Sequence, residues 1–211
     1  MPVEATEFSA PEQARIVATA QDLFLERGIS AVSLADVALT VRVPAAAMER
    51  YFPGGKAALV SAVADHYGDA LRQRLDQNVA QSSNAVEEML RLRRTLTDSA
   101  EETRRLFLRE LASNYPVLYQ HVEAARQASV LAYMRRNLLR GQQQDLYLPA
   151  LDVEEQAQRW LRQATETLQA VADPRALAET MAAHTTDFLG RVTTPAGAYA
   201  VRRLQEAAPY Y

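Results

Sequence analysis

The side chains best suited to move protons near neutral pH are three histidines, His66, His121 and His184, and they stand far apart in the 211-residue sequence. None belongs to an HExxH pair, and no two carboxylates have a spacing that would set one up as acid and the other as base. There are no cysteines, which removes thiolate zinc sites, iron–sulfur clusters, disulfide frameworks and cysteine nucleophiles together. GxGxxG, P-loop and nucleophile-elbow patterns are absent as well. The expectation is a protein that is not an enzyme and uses neither metal nor cofactor. A different chemistry is open to the segment from Ser33 to Lys56, where Arg42, Arg50 and Lys56 face only Asp36 and Glu49, a balance of +1. Over residues 1–60 five cations meet seven acids, and the whole chain carries −3 with a pI near 5.7. Any hold on nucleic acid must therefore come from a local patch.

The elements that position this segment read as helix after helix. Ser9-Ala-Pro-Glu12 has the form of a capping box, and Ile16, Val17, Ala20, Leu23 and Phe24 follow at three- and four-residue spacings. A helix over 10–27 that stops at Gly28 accounts for both. Ser33 caps a short second helix with Leu34, Val37, Ala38 and Val41 inward, and Pro44 opens a short third one from Ala45 to about Phe52. After Pro53-Gly54-Gly55 a long helix is predicted from Lys56 to about Val79, then helices capped by Asn84 with Glu87 and by Ser99 with Glu102. The next is predicted over about 117–140, ending at Gly141 before a loop to Leu151. Asp152 and Asp173 cap two amphipathic helices joined by a short turn, and a last helix covers about Ala196–Ala207. No strand signal appears, so the predicted fold is all-α.

Composition agrees with a packed chain: 48% hydrophobic and 23% charged residues, with only 7 Gly and 9 Pro. The length admits one domain or a small module joined to a larger one. Met1 to Ala10 carry Glu4 and Glu7 without a basic, apolar leader, and no apolar run reaches the roughly 18 residues of a membrane span. A cytoplasmic location is expected, with no membrane partner.

The second and third helices, short and separated by a tight turn at Val41-Arg42-Val43, have helix-turn-helix proportions, although a three-helix corner of a bundle would give the same pattern. The order and spacing of Arg15-Ile16, Ala20, Leu23-Phe24, Glu26-Arg27-Gly28, Ser33, Val37-Ala38, Val43, Met48, Tyr51-Phe52, Lys56 and Leu59 resemble the TetR family of one-component transcriptional regulators. The sequence departs from that pattern at three places. Arg42 stands where the family usually has glycine, Pro44 where it has a hydroxyl cap, and Glu49 where it has a tyrosine that touches a phosphate.

The resemblance implies a DNA-binding domain over 1–55 and an effector-binding, dimerising helical domain over 56–211. In such a protein Ser33, Tyr51 and Lys56 would hold phosphates. Arg42 has no counterpart in the family, and its charge alone makes it a further phosphate candidate. Ala45 and Ala46 would meet thymine methyls, while Glu49 or Arg50 would read a base edge. The implied partners are a double-stranded operator, a small hydrophobic or aromatic effector and a second copy of the chain. Larger or polar groups on apolar faces, Met89, Arg93, Phe107, Tyr115, Tyr133 and Trp160, are the pocket candidates, with Arg93 suited to an acid. The dimer face is expected from the stripe Ala157, Trp160, Leu161, Ala164 and Leu168, set beside Leu177, Met181, His184 and Phe188. The competing expectation is a dimeric ligand-binding or interaction module on the same scaffold that has lost operator binding through Arg42, Pro44 and Glu49.

Overall fold

The computed structural model describes residues 10–98 and 102–207. Ten helices carry these residues: α1 (Ala10–Arg27), α2 (Leu34–Val41), α3 (Ala45–Tyr51), α4 (Gly55–Gln81), α5 (Ala85–Asp98), α6 (Glu102–Asn114), α7 (Pro116–Gln143), α8 (Val153–Ala170), α9 (Pro174–Val192) and α10 (Pro195–Ala207). The fold is all-α; the β pairing among the described residues is a single antiparallel bridge between Tyr147 and Thr193. The caps expected at Ser9 and Ser99 lie outside the described residues.

The helix starts follow their side chains. Ser33 and Asp36 form a reciprocal capping box, the Asp36 N–H donating to the Ser33 hydroxyl and the Ser33 N–H to the Asp36 carboxylate. Asp152 and Asp173 accept from Glu155 and Ala176 three residues on, opening α8 and α9. Asn84 caps α5 through the Glu87 N–H, while the Glu87 carboxylate turns back to the N–H and hydroxyl of Ser83. Between α2 and α3, Arg42 takes a left-handed conformation (φ 60°, ψ 45°), with Val43 N–H bonded to Ala38 O and Arg42 N–H to Leu39 O. That is a Schellman turn with arginine at the position glycine usually fills.

One helix end differs from expectation. α7 runs through Gly141 to Gln143, so this glycine is not a terminator. The ring of Tyr147 lies against its Cα, and a Cβ there would stand 2.0 Å from Tyr147 Cδ2. Gly141 is a notch for a buried tyrosine.

The chain forms two compact units. The first takes residues 1–70 with 103–123, and its core gathers Ile16, Phe24, Val37 and Met48 from α1–α3 with Leu59, Val60 and Val63 of α4, Phe107 and Leu111 of α6 and Val122 of α7. Phe107 stacks on Phe24 at 6.5 Å between ring centroids and meets Tyr67 at 6.0 Å. This unit reaches past residue 55 because the apolar faces of α4 and α6 complete its core. The second unit takes 71–102 with 124–211, and α5 is its centre: Met89, Leu90, Leu92 and Leu96 are buried together with Glu87 and Glu88. Trp160, Met181 and Phe188 of α8 and α9 join the same core.

Candidate functional site

In the first unit Met48 and Phe52 are buried anchors that hold α3 against α1 and α2. With that face fixed, Arg42, Pro44, Ala45, Ala46, Glu49 and Arg50 are all exposed, and so is Leu39, at 80% of its surface. The seven residues of α3 give a rod roughly 10 Å long at 1.5 Å per residue, short enough to enter a DNA major groove. Ala45 and Ala46 form the apolar part of the outward face. Glu49 and Arg50 supply an acceptor and a donor on the same short helix. Leu39 of α2 carries no chemistry in the sequence, and only the fold shows it exposed.

The residues expected on phosphates divide. Ser33 is exposed, but its hydroxyl is bound to the Asp36 carboxylate at 2.6 Å, so it acts as a cap. That hydrogen bond, followed by the Ser33 backbone N–H, holds the Asp36 carboxyl below the usual aspartate range. Tyr51 is partly buried and donates its hydroxyl to Glu12 of α1 at 2.6 Å. Lys56 is partly buried, with Nζ 3.5 Å from the carbonyl of Ser30.

A contact that the sequence does not announce fixes the loop before α2. Glu110 of α6 accepts from both the N–H and the hydroxyl of Ser30, and Asn114 donates to the same hydroxyl at 3.2 Å. These partners are 80 and 84 residues apart, so no local pattern signals them.

The pocket candidates fall in both units. Phe107 packs in the first core, and Tyr115 lies against it. Met89, Tyr133 and Trp160 belong to the second core, where Arg93 is partly buried. Around Tyr133 runs a buried polar network. Its hydroxyl donates to the backbone carbonyl of Glu88 at 2.9 Å, and Arg140 bonds the Glu88 carboxylate at 2.8 Å. Tyr147 donates toward Ala85 O and Asn137 Oδ1. Burial first, and the Glu88 charge second, push both tyrosine hydroxyls far above their ordinary range.

The stripe expected at a dimer face lies inside the chain. Ala157, Trp160, Ala164, Leu177, Met181 and Phe188 are buried in the second core, and a shielded side chain has no area left to bury against a second copy. Leu161 and Leu168 are partly buried, as is His184, whose Nδ1 lies 3.2 Å from the Thr167 hydroxyl. The faces of α8 and α9 that remain open carry Gln158, Arg162 and Glu166, and Ala183, Thr186 and Gly190. Among the described residues no group of His, Asp and Glu could hold a metal ion, and no helix is long and apolar enough to cross a membrane.

The geometry defines an all-α protein with an N-terminal helix-turn-helix. Residues 16–63 match the profile of the bacterial regulatory proteins of the tetR family. The fold is that of a transcriptional regulator from Cytophaga hutchinsonii, which is 17% identical with a TM-score of 0.73 over 86% of this chain and 98% of that one. Escherichia coli NemR in its reduced form is similar at 18% identity and a TM-score of 0.68, covering 88% and 99%. A TetR-family regulator from Streptomyces coelicolor gives 19% and 0.66, covering 88% and 98%. No curated protein matches by sequence. The N-terminal segment thus matches the regulatory proteins of the tetR family, and the chain as a whole shares the fold of these solved regulators.

Proposed function

We propose that the protein is a cytoplasmic homodimeric repressor that binds a palindromic operator through α3 and releases it when a small hydrophobic or aromatic effector enters the second unit. The observation that carries this reading is the exposed face of α3, with Ala45, Ala46, Glu49 and Arg50 outward while Met48 and Phe52 anchor the helix from behind. Ala45 and Ala46 meet thymine methyls, Arg50 reads guanine O6 and N7, and Glu49 accepts from cytosine N4. Arg42 and Lys56 neutralise phosphates, joined by the Ser33 and Tyr51 hydroxyls where these can share their present partners. Two recognition helices about 34 Å apart meet successive turns of DNA. The open faces of α8 and α9 are proposed to pair the subunits, and Met89, Arg93, Tyr133 and Trp160 to meet the effector. The effector acts as a population shift, binding the DNA-incompetent state more tightly, with α4, which supplies residues to both units, carrying the change.

The test is fluorescence anisotropy of duplexes from upstream of the gene and of random sequence at about 50 and 200 mM salt. Sequence-selective binding that survives the higher salt supports a regulator, and damage to it by Glu49→Tyr supports base reading by that carboxylate. Binding abolished by salt and equal for all sequences, or restored by Glu49→Tyr, points instead to a scaffold that has lost its operator.

A further inference from the structure

We propose that Glu110 of α6 is a positioning residue for DNA binding, one that fixes Ser30 and through it aims the ammonium of Lys56 at a phosphate. A carboxylate thereby serves the grip on a polyanion. The inference rests on the reading of the first unit as the DNA-binding part.

Ser30 lies exposed in the loop before α2, yet every hydrogen-bonding group it has meets a side chain from elsewhere in the first unit. Its N–H and hydroxyl donate to Glu110, its hydroxyl oxygen accepts from Asn114 Nδ2, and its carbonyl faces Lys56 Nζ at 3.5 Å. Glu110 and Asn114 stand one turn apart on α6, and Lys56 is in the first turn of α4. Around Ser30 the apolar anchors Ile29 and Val32 are buried, and the Val32 N–H returns to Ile29 O at 3.4 Å. Burial of these anchors holds the loop down without aiming it, because the hydrophobic effect has no direction. Hydrogen bonds have one, and those on Ser30 turn its carbonyl toward α4.

Lys56 is the one lysine in the sequence. A lysine carries a point charge on a flexible stem, so whatever holds the ammonium decides where the charge is offered. A carbonyl partner orients it and leaves the charge unneutralised. The Asp36 carboxylate, held low chiefly by the hydroxyl and N–H of Ser33, also feels the Lys56 charge and competes for it. Without Glu110 the Ser30 carbonyl is free to turn away, and the ammonium passes to Asp36 and water.

Two effects of Glu110 on DNA have opposite signs. Through space, a carboxylate repels phosphates, and removing it would tighten binding at low salt. Through Ser30, removing it loosens Lys56, and binding weakens. The direction of the change decides between them.

The experiment uses the full chain, with duplexes from upstream of the gene and of random sequence as probes, at about 50 mM salt and well below each variant's melting point. Glu110→Ala is expected to bind DNA roughly 3- to 10-fold more weakly although it removes a negative charge. Glu110→Gln, whose amide oxygen still accepts from Ser30, should fall between it and the native chain. In a Lys56→Met background Glu110→Ala should cost less than about twofold, since the residue it acts through is gone. Without DNA, a chain labelled with 15N-lysine gives a single side-chain ammonium signal, and in Glu110→Ala this signal should shift and exchange faster with water. Tighter or unchanged DNA binding by Glu110→Ala, no recovery in Glu110→Gln, equal losses with and without Lys56, or an unmoved ammonium signal each overturns the proposal. A native chain that binds neither duplex overturns the regulator reading and this role with it. Native binding with an unmoved ammonium signal overturns the role alone.

Discussion

The carboxylate of Glu110 and Ser30 form a two-point latch: Oε2 receives the Ser30 N–H at 2.7 Å and the Ser30 hydroxyl at 3.1 Å. The latch closes over Gly28, whose φ is +83° and whose missing Cβ would stand 2.6 Å from Oε1. Glycine is required twice at this position, for its backbone conformation and for the space. Gly28→Ala should lose at least about 1 kcal/mol in strain alone, and it should displace the carboxylate from Ser30. Glu110→Ala should cost about 1–2 kcal/mol, because two hydrogen bonds to an ionised group are lost at an exposed site. In urea unfolding the double variant should lose less than the sum of the two, since removing the carboxylate removes the clash. Strict additivity would show that the two residues do not meet.

Arg42 holds a left-handed conformation that costs most side chains about 1–2 kcal/mol, part of which glycine gives back through its freer unfolded chain. Arg42→Gly should therefore raise stability by about 0.5–1 kcal/mol while weakening DNA binding. If the guanidinium touches a phosphate, the slope of log affinity against log salt should fall by about 1 for each contact removed. An unchanged slope would take Arg42 off the DNA.

Glu88 is fully buried, Arg140 bonds one of its oxygens, and Glu88 Oε1 has no donor among the described residues. Arg140→Leu leaves that charge in the core without its partner and should cost about 3–5 kcal/mol in denaturant melts. Adding Glu88→Met should recover most of the loss. If the double variant is no more stable than Arg140→Leu alone, the buried pair is not what Arg140 supports.

Burial would raise the Glu87 carboxyl, but the N–H and hydroxyl of Ser83 and the guanidinium of Arg91 outweigh it and hold the group below its ordinary 4.5. A carboxylate whose folded pKa lies below its unfolded one stabilises the fold fully above the unfolded value. That share is lost as pH falls through the folded value, so the window lies below pH 4.5. Glu87→Gln should be less stable at neutral pH and should lose less on acidification. Parallel pH profiles for the two proteins would exclude the linkage.

Local physics made much of this fold legible. The three- and four-residue stripe from Ile16 to Phe24 and the caps Ser33, Asp152 and Asp173 act within one or two turns, so their spacing alone determines the helices. Gly141 was misleading because a glycine near a helix end has the same appearance whether it terminates the helix or admits a ring, and Tyr147 decides that from six residues away. The stripe through Trp160 and Phe188 announces burial without saying against what, and the partner is the chain's own α5 and α7 core. Glu110 was beyond reach, since its role exists only once α6 lies beside the loop at Ser30.

The first compact unit is assembled from two stretches of chain, 1–70 and 103–123, with the ring of Phe107 filling the space beside Phe24. A helix-turn-helix head cut out at residue 55 would lose Leu59 and Val63 from its core, and one cut out at residue 70 would leave Phe24 without Phe107 beside it. Anyone grafting this head onto another domain must carry 103–123 with it as an inserted piece. Its modularity in three dimensions is not modularity along the gene.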